Sequence, residues 1–238
     1  MKPDLLLLHG ALGCKEQFIS WANALSGIFT CHLLDFPGHG SRSAEAAVFS
    51  IENFSAELIV FIEQQKLQQP HVLGYSMGGY VALHTTLRKE AYLGNIMTLA
   101  TKFDWSQESS EKEAGYLVPE RMLQKVPQLA EQLKQRHGSY WKTVSEKTAS
   151  LMIGLGKDPL ITTQNMGAIK NKVKFCVGDS DKMVSVAETQ AMSRSSANGS
   201  LCVLPSTGHL SETMDLKRIV YEVQDLLPRP ATQQYPFC

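Results

Sequence analysis

The chain has 238 residues, 23 Lys and Arg against 23 Asp and Glu, 43% hydrophobic residues and 19% charged ones. Such a composition excludes disordered, collagen-like and coiled-coil chains, and a formal net charge of zero offers no global field to draw nucleic acid or an anionic membrane surface. The length fits one soluble α/β-type domain with room for an insertion.

Asp4 to Leu8 is the first short apolar run and reads as a strand. Met1-Lys2-Pro3-Asp4 before it imitates a charged leader, but the run is far shorter than a signal peptide or a membrane span requires, so the expected compartment is cytoplasmic. The strand ends in His9-Gly10-Ala11-Leu12-Gly13. Phe18, Trp21, Ala22 and Leu25 then fall at i, i+3, i+4 and i+7, a helix stopped by Gly27. A second strand, Thr30 to Leu34, leads into Asp35-Phe36-Pro37-Gly38-His39-Gly40-Ser41. Ser50 is placed to cap a helix carrying Phe54, Leu58, Phe61 and Ile62. Pro70 to Tyr75 is the third strand, followed by Ser76-Met77-Gly78-Gly79 and a helical run from Tyr80 to Lys89; Asn95 to Ala100 is the fourth.

The stretch 104–168 breaks this rhythm and is too long for a connecting loop without structure of its own. Ser106 to Glu113 is polar, a loop or a helix start; Glu120 to Arg136 has a helical pattern interrupted at Pro127; Trp141, Val144, Thr148 and Met152 share a helical face. The expected organisation is a core of 1–103 and 169–238 with a helical cap at 104–168. Strands Val173 to Val177 and Leu201 to Leu204 follow, then a helix carrying Ile219, Val220, Val223, Leu226 and Leu227, and an irregular surface tail from Pro228 to Cys238. Strands alternating with helices predict a parallel sheet covered on both faces.

Five cysteines, Cys14, Cys31, Cys176, Cys202 and Cys238, show no C-x-x-C pair and no zinc-ligand spacing, so neither a disulfide framework nor a metal site is indicated. Cys31, Cys176 and Cys202 lie in strand runs and are expected as small buried hydrophobes.

Gly74-Tyr75-Ser76-Met77-Gly78 matches G-x-S-x-G between a strand and a helix, where a strained turn exposes a serine hydroxyl and tolerates only small neighbours. A serine hydroxyl needs a base, and the base an orienting acid. Val173 to Val177 ends in Gly178-Asp179-Ser180-Asp181, offering two carboxylates, and Leu201 to Leu204 leads into Gly208-His209. In a parallel sheet both loops lie at the carboxyl ends of strands, where active sites collect. The N–H of Met77, at the start of the helix, and one from the His9 to Gly13 turn are placed to form an oxyanion hole.

Taken in order, His9-Gly10 with Gly13, Asp35 to Ser41, Gly74 to Gly79, Gly178 to Val184 and Gly208-His209 resemble the α/β-hydrolase superfamily in its small, capped, cofactor-free serine hydrolases. The nearest flavour is that of pimeloyl-carrier-protein methyl esterases and of the menaquinone-pathway succinyl-hydroxycyclohexadiene-carboxylate synthases. The resemblance implies an α/β-hydrolase fold whose mainly parallel sheet has six strands, because the chain begins at what the family would call its third strand. It assigns Ser76 as nucleophile, His209 as base and Asp181 as acid, the last because Gly178, Asp181 and Val184 satisfy G-x-x-D-x-x-V. The N–H groups of Met77 and Ala11 become the oxyanion hole, and neither cofactor nor metal is implied.

The implied activity is hydrolysis of a small to medium carboxylic ester, or a related small-molecule acyl substrate, through an acyl-enzyme on Ser76. Two alternatives are a carbon–carbon hydrolase or lyase/synthase using the same triad, with Arg121, Lys125 and Arg136 as cations for a carboxylated substrate, and a ligand-binding protein of slow turnover. Trp105, Tyr140 and Trp141, with Tyr116, are candidates for the substrate pocket. His9 reads as an anchor of the oxyanion loop, His39 as a shaper of the fold and Cys14 as an inert thiol.

Overall fold

Leu5, Leu6, Leu7 and Leu8 are all fully buried, the pattern of a strand covered on both faces rather than one. They form most of β1 (Asp4–Leu8) in a computed structural model that describes residues 1–227; the tail expected from Pro228 onward, and Cys238 with it, lie outside the described residues. The other strands are β2 (Thr30–Leu34), β3 (His71–Tyr75), β4 (Ile96–Leu99), β5 (Val173–Gly178) and β6 (Gly199–Leu204). They make one six-stranded sheet in the order β2-β1-β3-β4-β5-β6, and every pairing is parallel.

The period of two along each strand sorts the core into two layers. On one face Leu6, Leu8, Leu34, Val72, Ile96 and Phe175 pack under α2 (Ile51–Gln64), α3 (Met77–Arg88) and Met192 of α8 (Val186–Ser195). On the other, Leu5, Leu7, Leu73, Met97, Leu99 and Cys176 pack under α1 (Ile19–Leu25) and α9 (Leu216–Gln224). Ser50 caps α2 by accepting the N–H of Asn53, as its position in the sequence predicts. α3 starts at Met77, three residues before the apolar run suggested, because Gly78 and Gly79 serve inside the helix as points of close packing.

Register places Leu8 opposite Leu34 and Gly74, and Gly178 opposite Leu204, so the strands end level and their following loops share one edge. The chain runs from β1 outward to β2 and then returns to the other side of β1 for β3. The switch point therefore lies between β1 and β3, where the Gly10–Gly13 turn and the Ser76 turn emerge.

Between β4 and β5 stand α4 (Gln107–Gly115), α5 (Pro119–Lys125), α6 (Pro127–His137) and α7 (Trp141–Lys157). Ser106 caps α4, so the polar stretch is helical, and Pro127 opens α6 at a position where a missing N–H costs nothing. Leu117, Met122, Ala130, Leu133, Trp141 and Met152 give these helices a small core of their own, while Val144, Leu151 and Leu155 of α7 join the core above the sheet. Among the described residues no helix is long and apolar enough to cross a membrane.

Cys176 and Cys202 are buried partners across β5 and β6, whereas Cys31 is only half-buried because β2 is an edge strand. Lys174, between two apolar neighbours in β5, points under α9 into a buried ion cluster: its ammonium pairs with Glu222 and lies 2.8 Å from Asp225. Burial raises the stakes of this pairing, since removing Lys174 leaves one oxygen of the buried Glu222 carboxylate without its cation, with Arg218 still on the other. Lys174→Ala is expected to cost about 3 kcal/mol in urea denaturation. By contrast, Lys134→Ala, which breaks an exposed pair with Glu131, should cost less than about 1 kcal/mol. Equal losses would refute this account of the cluster.

Candidate active site

β3 passes into α3 through one residue, Ser76, held at φ 49°, ψ −116°. For a side chain other than glycine this left-handed region costs roughly 1–3 kcal/mol. The turn is fastened on three sides: the Ser76 N–H donates to the Leu99 carbonyl at 2.8 Å, and the Ser76 carbonyl accepts from Gly79 N–H at 3.1 Å and Thr101 Oγ1 at 3.0 Å. The flanking glycines are steric necessities. A Cβ on Gly74 would sit 2.5 Å from the Gly79 nitrogen, and one on Gly78 would overlap the Leu8 carbonyl.

Asp181 and His209 come together from the loops after β5 and β6. His209 Nδ1 lies 2.8 Å from Asp181 Oδ2, and the other carboxylate oxygen accepts the N–H groups of Met183 and Val184 at 2.8 and 2.9 Å. Burial by itself would push the Asp181 carboxyl up, but the hydrogen bond and charge of His209 and the two backbone donors hold it below the ordinary range. Asp179 is exposed and accepts from its neighbour Ser180 instead. The His209 carbonyl accepts the Tyr75 hydroxyl at 2.9 Å, and the two rings are 5.7 Å apart, so the histidine stands over the residue next to Ser76. Among the described residues no hydrogen bond joins the Ser76 hydroxyl to His209; such contacts are often long before a substrate tightens them.

The turn after β1 is closed by Gly13 N–H to the Gly10 carbonyl at 3.1 Å, with Leu12 at φ 59°. It lies so close to the serine that a Cβ on Gly10 would be 3.1 Å from Ser76 Cβ. Ala11, Ser76 and Met77 all line one cleft of about 350 Å³, counting its mouth. Trp105 lines it as well, beside Leu151, Met152 and Leu155 of α7.

The other predicted pocket aromatics are elsewhere. Tyr140 is 44% exposed, and Trp141 is buried in the small core of α5–α7; neither is among the residues lining the cleft, because one starts a turn at the surface and the other is spent on packing helices together. Tyr116 is exposed. The predicted cations are also directed away: Arg121 donates to the Gly115 carbonyl, Lys125 is exposed, and Arg136 pairs with Glu212 at 2.5 Å. Burial, and after it the neighbouring Glu16, push the Cys14 thiol up to about 12 and leave it protonated.

Two residues without any motif prove to be central. His137, the last residue of α6, has Nδ1 accepting the Gly40 N–H and Nε2 donating to the Leu12 carbonyl, both at 3.0 Å. It thus ties α6 to the loops after β1 and β2. Lys102, after β4, lines the cleft. His137 also completes a buried trio. His39 lies 5.1 Å from His9 and 5.8 Å from His137, ring to ring, and His9 accepts the Phe36 N–H at 3.1 Å while its Nδ1 lies 2.8 Å from the Gly10 carbonyl. Burial holds all three neutral: His9 is lowered to about 4, His39 well below its ordinary value and His137 also downward. Among the described residues no group of three His, Cys, Asp or Glu is arranged to hold a metal ion.

A family model for the alpha/beta hydrolase fold matches residues 3–137, which include the Ser76 turn and stop before Asp181 and His209. The chain is 34% identical over 83 residues to 2-succinyl-6-hydroxy-2,4-cyclohexadiene-1-carboxylate synthase of Photorhabdus laumondii, covering 35% of this chain and 29% of that one. It is 31% identical over 107 residues to pimeloyl-[acyl-carrier protein] methyl ester esterase of Vibrio cholerae, covering 45% and 40%. The matched segments thus span less than half of these curated relatives. NosK from Streptomyces actuosus superposes with a TM-score of 0.81 over 95% of this chain and 97% of that chain, at 21% identity, a likeness of fold.

The histidine trio makes stability depend on pH in a defined window. The folded value of His9, about 4, lies below its ordinary 6.5, so between these the unfolded chain binds more protons; stability is intact above about pH 6.5 and is lost as pH falls toward 4. His9 alone accounts for about 3 kcal/mol over the whole window. The carboxylates held low, Asp35 and Asp181, add their losses only below about pH 4. The melting temperature should therefore fall between pH 6.5 and 5, and His39→Phe should flatten that fall. A melting temperature level across this range would overturn the assignment of neutral, buried histidines.

Proposed function

The chain belongs to the α/β-hydrolase fold family, and from that premise we propose that it is a serine hydrolase cleaving a small to medium carboxylic ester through an acyl-enzyme on Ser76. The observation that carries this reading is the Asp181–His209 pair, closed at 2.8 Å with every carboxylate oxygen occupied, above a serine strained into a strand-to-helix turn. The esterase among its relatives points the same way.

In this reading Ser76 Oγ attacks the ester carbonyl carbon while His209 Nε2 takes the hydroxyl proton. Asp181, ionised and fixed, keeps the proton of His209 on Nδ1 and stabilises the imidazolium. The oxyanion is received by the N–H groups of Ala11 and Met77, both beside Ser76 in the cleft, and by the positive end of α3. Collapse breaks the bond to the alcohol oxygen, which leaves with the proton from His209. Water then attacks the acyl carbon, His209 accepts its proton and returns one to Ser76, and the carboxylic acid departs. In the same reading 104–168 is a cap on a core of 1–103 and 169–238. Trp105 and the α7 residues Leu151, Met152 and Leu155 supply cleft wall, while the reacting groups come from the loops at the strand ends.

A second reading, proton abstraction by the same triad in a synthase, draws on the 34% identical Photorhabdus relative. Turnover of simple esters separates the two. A fluorophosphonate is expected to label the peptide containing Ser76 and no other, and Ser76→Ala to abolish labelling. Asp181→Asn should lower kcat for p-nitrophenyl esters by about 10⁴-fold through the wrong imidazole tautomer, with Asp179→Asn within a few-fold of the parent. Labelling at another serine, or an equal loss from both aspartate variants, would overturn the assignment.

A further inference from the structure

Lys102 is only 8% exposed, yet among the described residues its ammonium meets no carboxylate. Its contacts are the Met183 carbonyl at 3.4 Å and the face of Trp105, 5.5 Å from the ring centroid. The same chain shows how a buried lysine is otherwise treated: Lys174, equally hidden, is met by both Glu222 and Asp225. A lysine this little exposed, with no counter-ion, is uncommon, so its unpaired charge needs a reason. Beside it, Trp105 Nε1 is buried with no acceptor. Both residues line the cleft that holds Ser76, and Lys102 is its one charged lining residue; most of the remaining wall, such as Ile51, Leu151, Leu155 and Met183, is apolar. A cation with no counter-ion and an indole N–H with no acceptor, on residues that line one mostly apolar cleft, are the complement of a short hydrocarbon chain that ends in an anion.

We propose that Lys102 and the indole N–H of Trp105 form a carboxylate subsite, and that the substrate is a monoester of a short dicarboxylic acid whose free carboxylate is held there while its ester carbonyl meets Ser76. This rests on the esterase reading of the same site. The acyl part is the part that carries the charge, because the alcohol must leave past His209, whose side chain is 20% exposed and does not line the cleft. Hydrolysis consumes one water, breaks the acyl carbon–alkoxy bond and yields the alcohol and the dicarboxylate. The fit is to a short chain, since one small cleft is lined by both Ser76 and Lys102.

The experiment compares kcat/KM for monomethyl glutarate and dimethyl glutarate in the parent protein, Lys102→Met and Lys102→Arg. The parent is expected to favour the monoester by about tenfold or more, Lys102→Met to lower that ratio at least about tenfold, and Lys102→Arg to keep most of it. An unchanged ratio in Lys102→Met overturns the subsite. Fluorophosphonate labelling separates the two layers of the argument: no labelling of Ser76 in the parent sinks the esterase reading, whereas intact labelling with an unchanged ratio sinks the subsite alone. A second measurement needs no variant. Butyrate should protect Ser76 of the parent from the fluorophosphonate at about tenfold lower concentration than butyramide, and equal protection by acid and amide overturns the proposal even if Lys102→Met fails to fold.

Discussion

Gly78 meets the carbonyl of Leu8 with no room between them for a side chain, and this backbone contact sets how closely α3 approaches the end of β1. Everything at the cleft inherits that spacing. Ser76 must turn within a single residue, at a positive φ, because the helix it opens is already pressed against the neighbouring strand. The Gly10–Gly13 turn leaves β1 at the same level and is brought against Ser76 Cβ. The strain at Ser76 is offset by the bonds to Leu99, Gly79 and Thr101, each worth about 1 kcal/mol, so the turn stands without help from a ligand.

Around this fixed point the protein handles buried polarity in three different ways. Lys174 is neutralised by carboxylates beneath α9, where it serves packing. His9, His39 and His137 are kept uncharged by burial and joined to backbone groups of the two loops after β1 and β2, which makes them hydrogen-bonding struts. Asp181 is kept charged, because both its oxygens are occupied by donors. Lys102 follows none of these patterns, and that exception is the strongest chemical statement made by the cleft.

The fold was legible because its determinants are local. All six strands announce themselves as short apolar runs, and the Ser76 turn as a glycine pattern whose steric cause is the contact with β1. Asp181 and His209 were legible as residues after strands, and the geometry turns Asp181, and not Asp179, toward the histidine. What escaped depends on distant contacts. His137 meets Leu12 across 125 positions, and no spacing in a helix records such a partner. Lys102 belongs to no motif, and its significance is a missing counter-ion, which only the surroundings reveal. Aromatic character marked Tyr140, Trp141 and Trp105 alike, but hydrophobicity predicts contact with something apolar and is silent on which surface it will be; only Trp105 reached the cleft.

The last turn of α6 carries two side chains that reach different loops. Arg136 grips Glu212, three residues after His209, and His137 grips the Leu12 carbonyl, so one helix end is bolted to the loops that follow both β1 and β6. For anyone who wishes to transplant 104–168 between relatives, that bolt is the compatibility criterion. A donor segment with a perfect apolar wall but no imidazole at the end of its third helix leaves the Gly40 N–H and the Leu12 carbonyl without this partner. Chimeras of this protein will be sorted by that one hinge pin before their wall residues are ever put to the test.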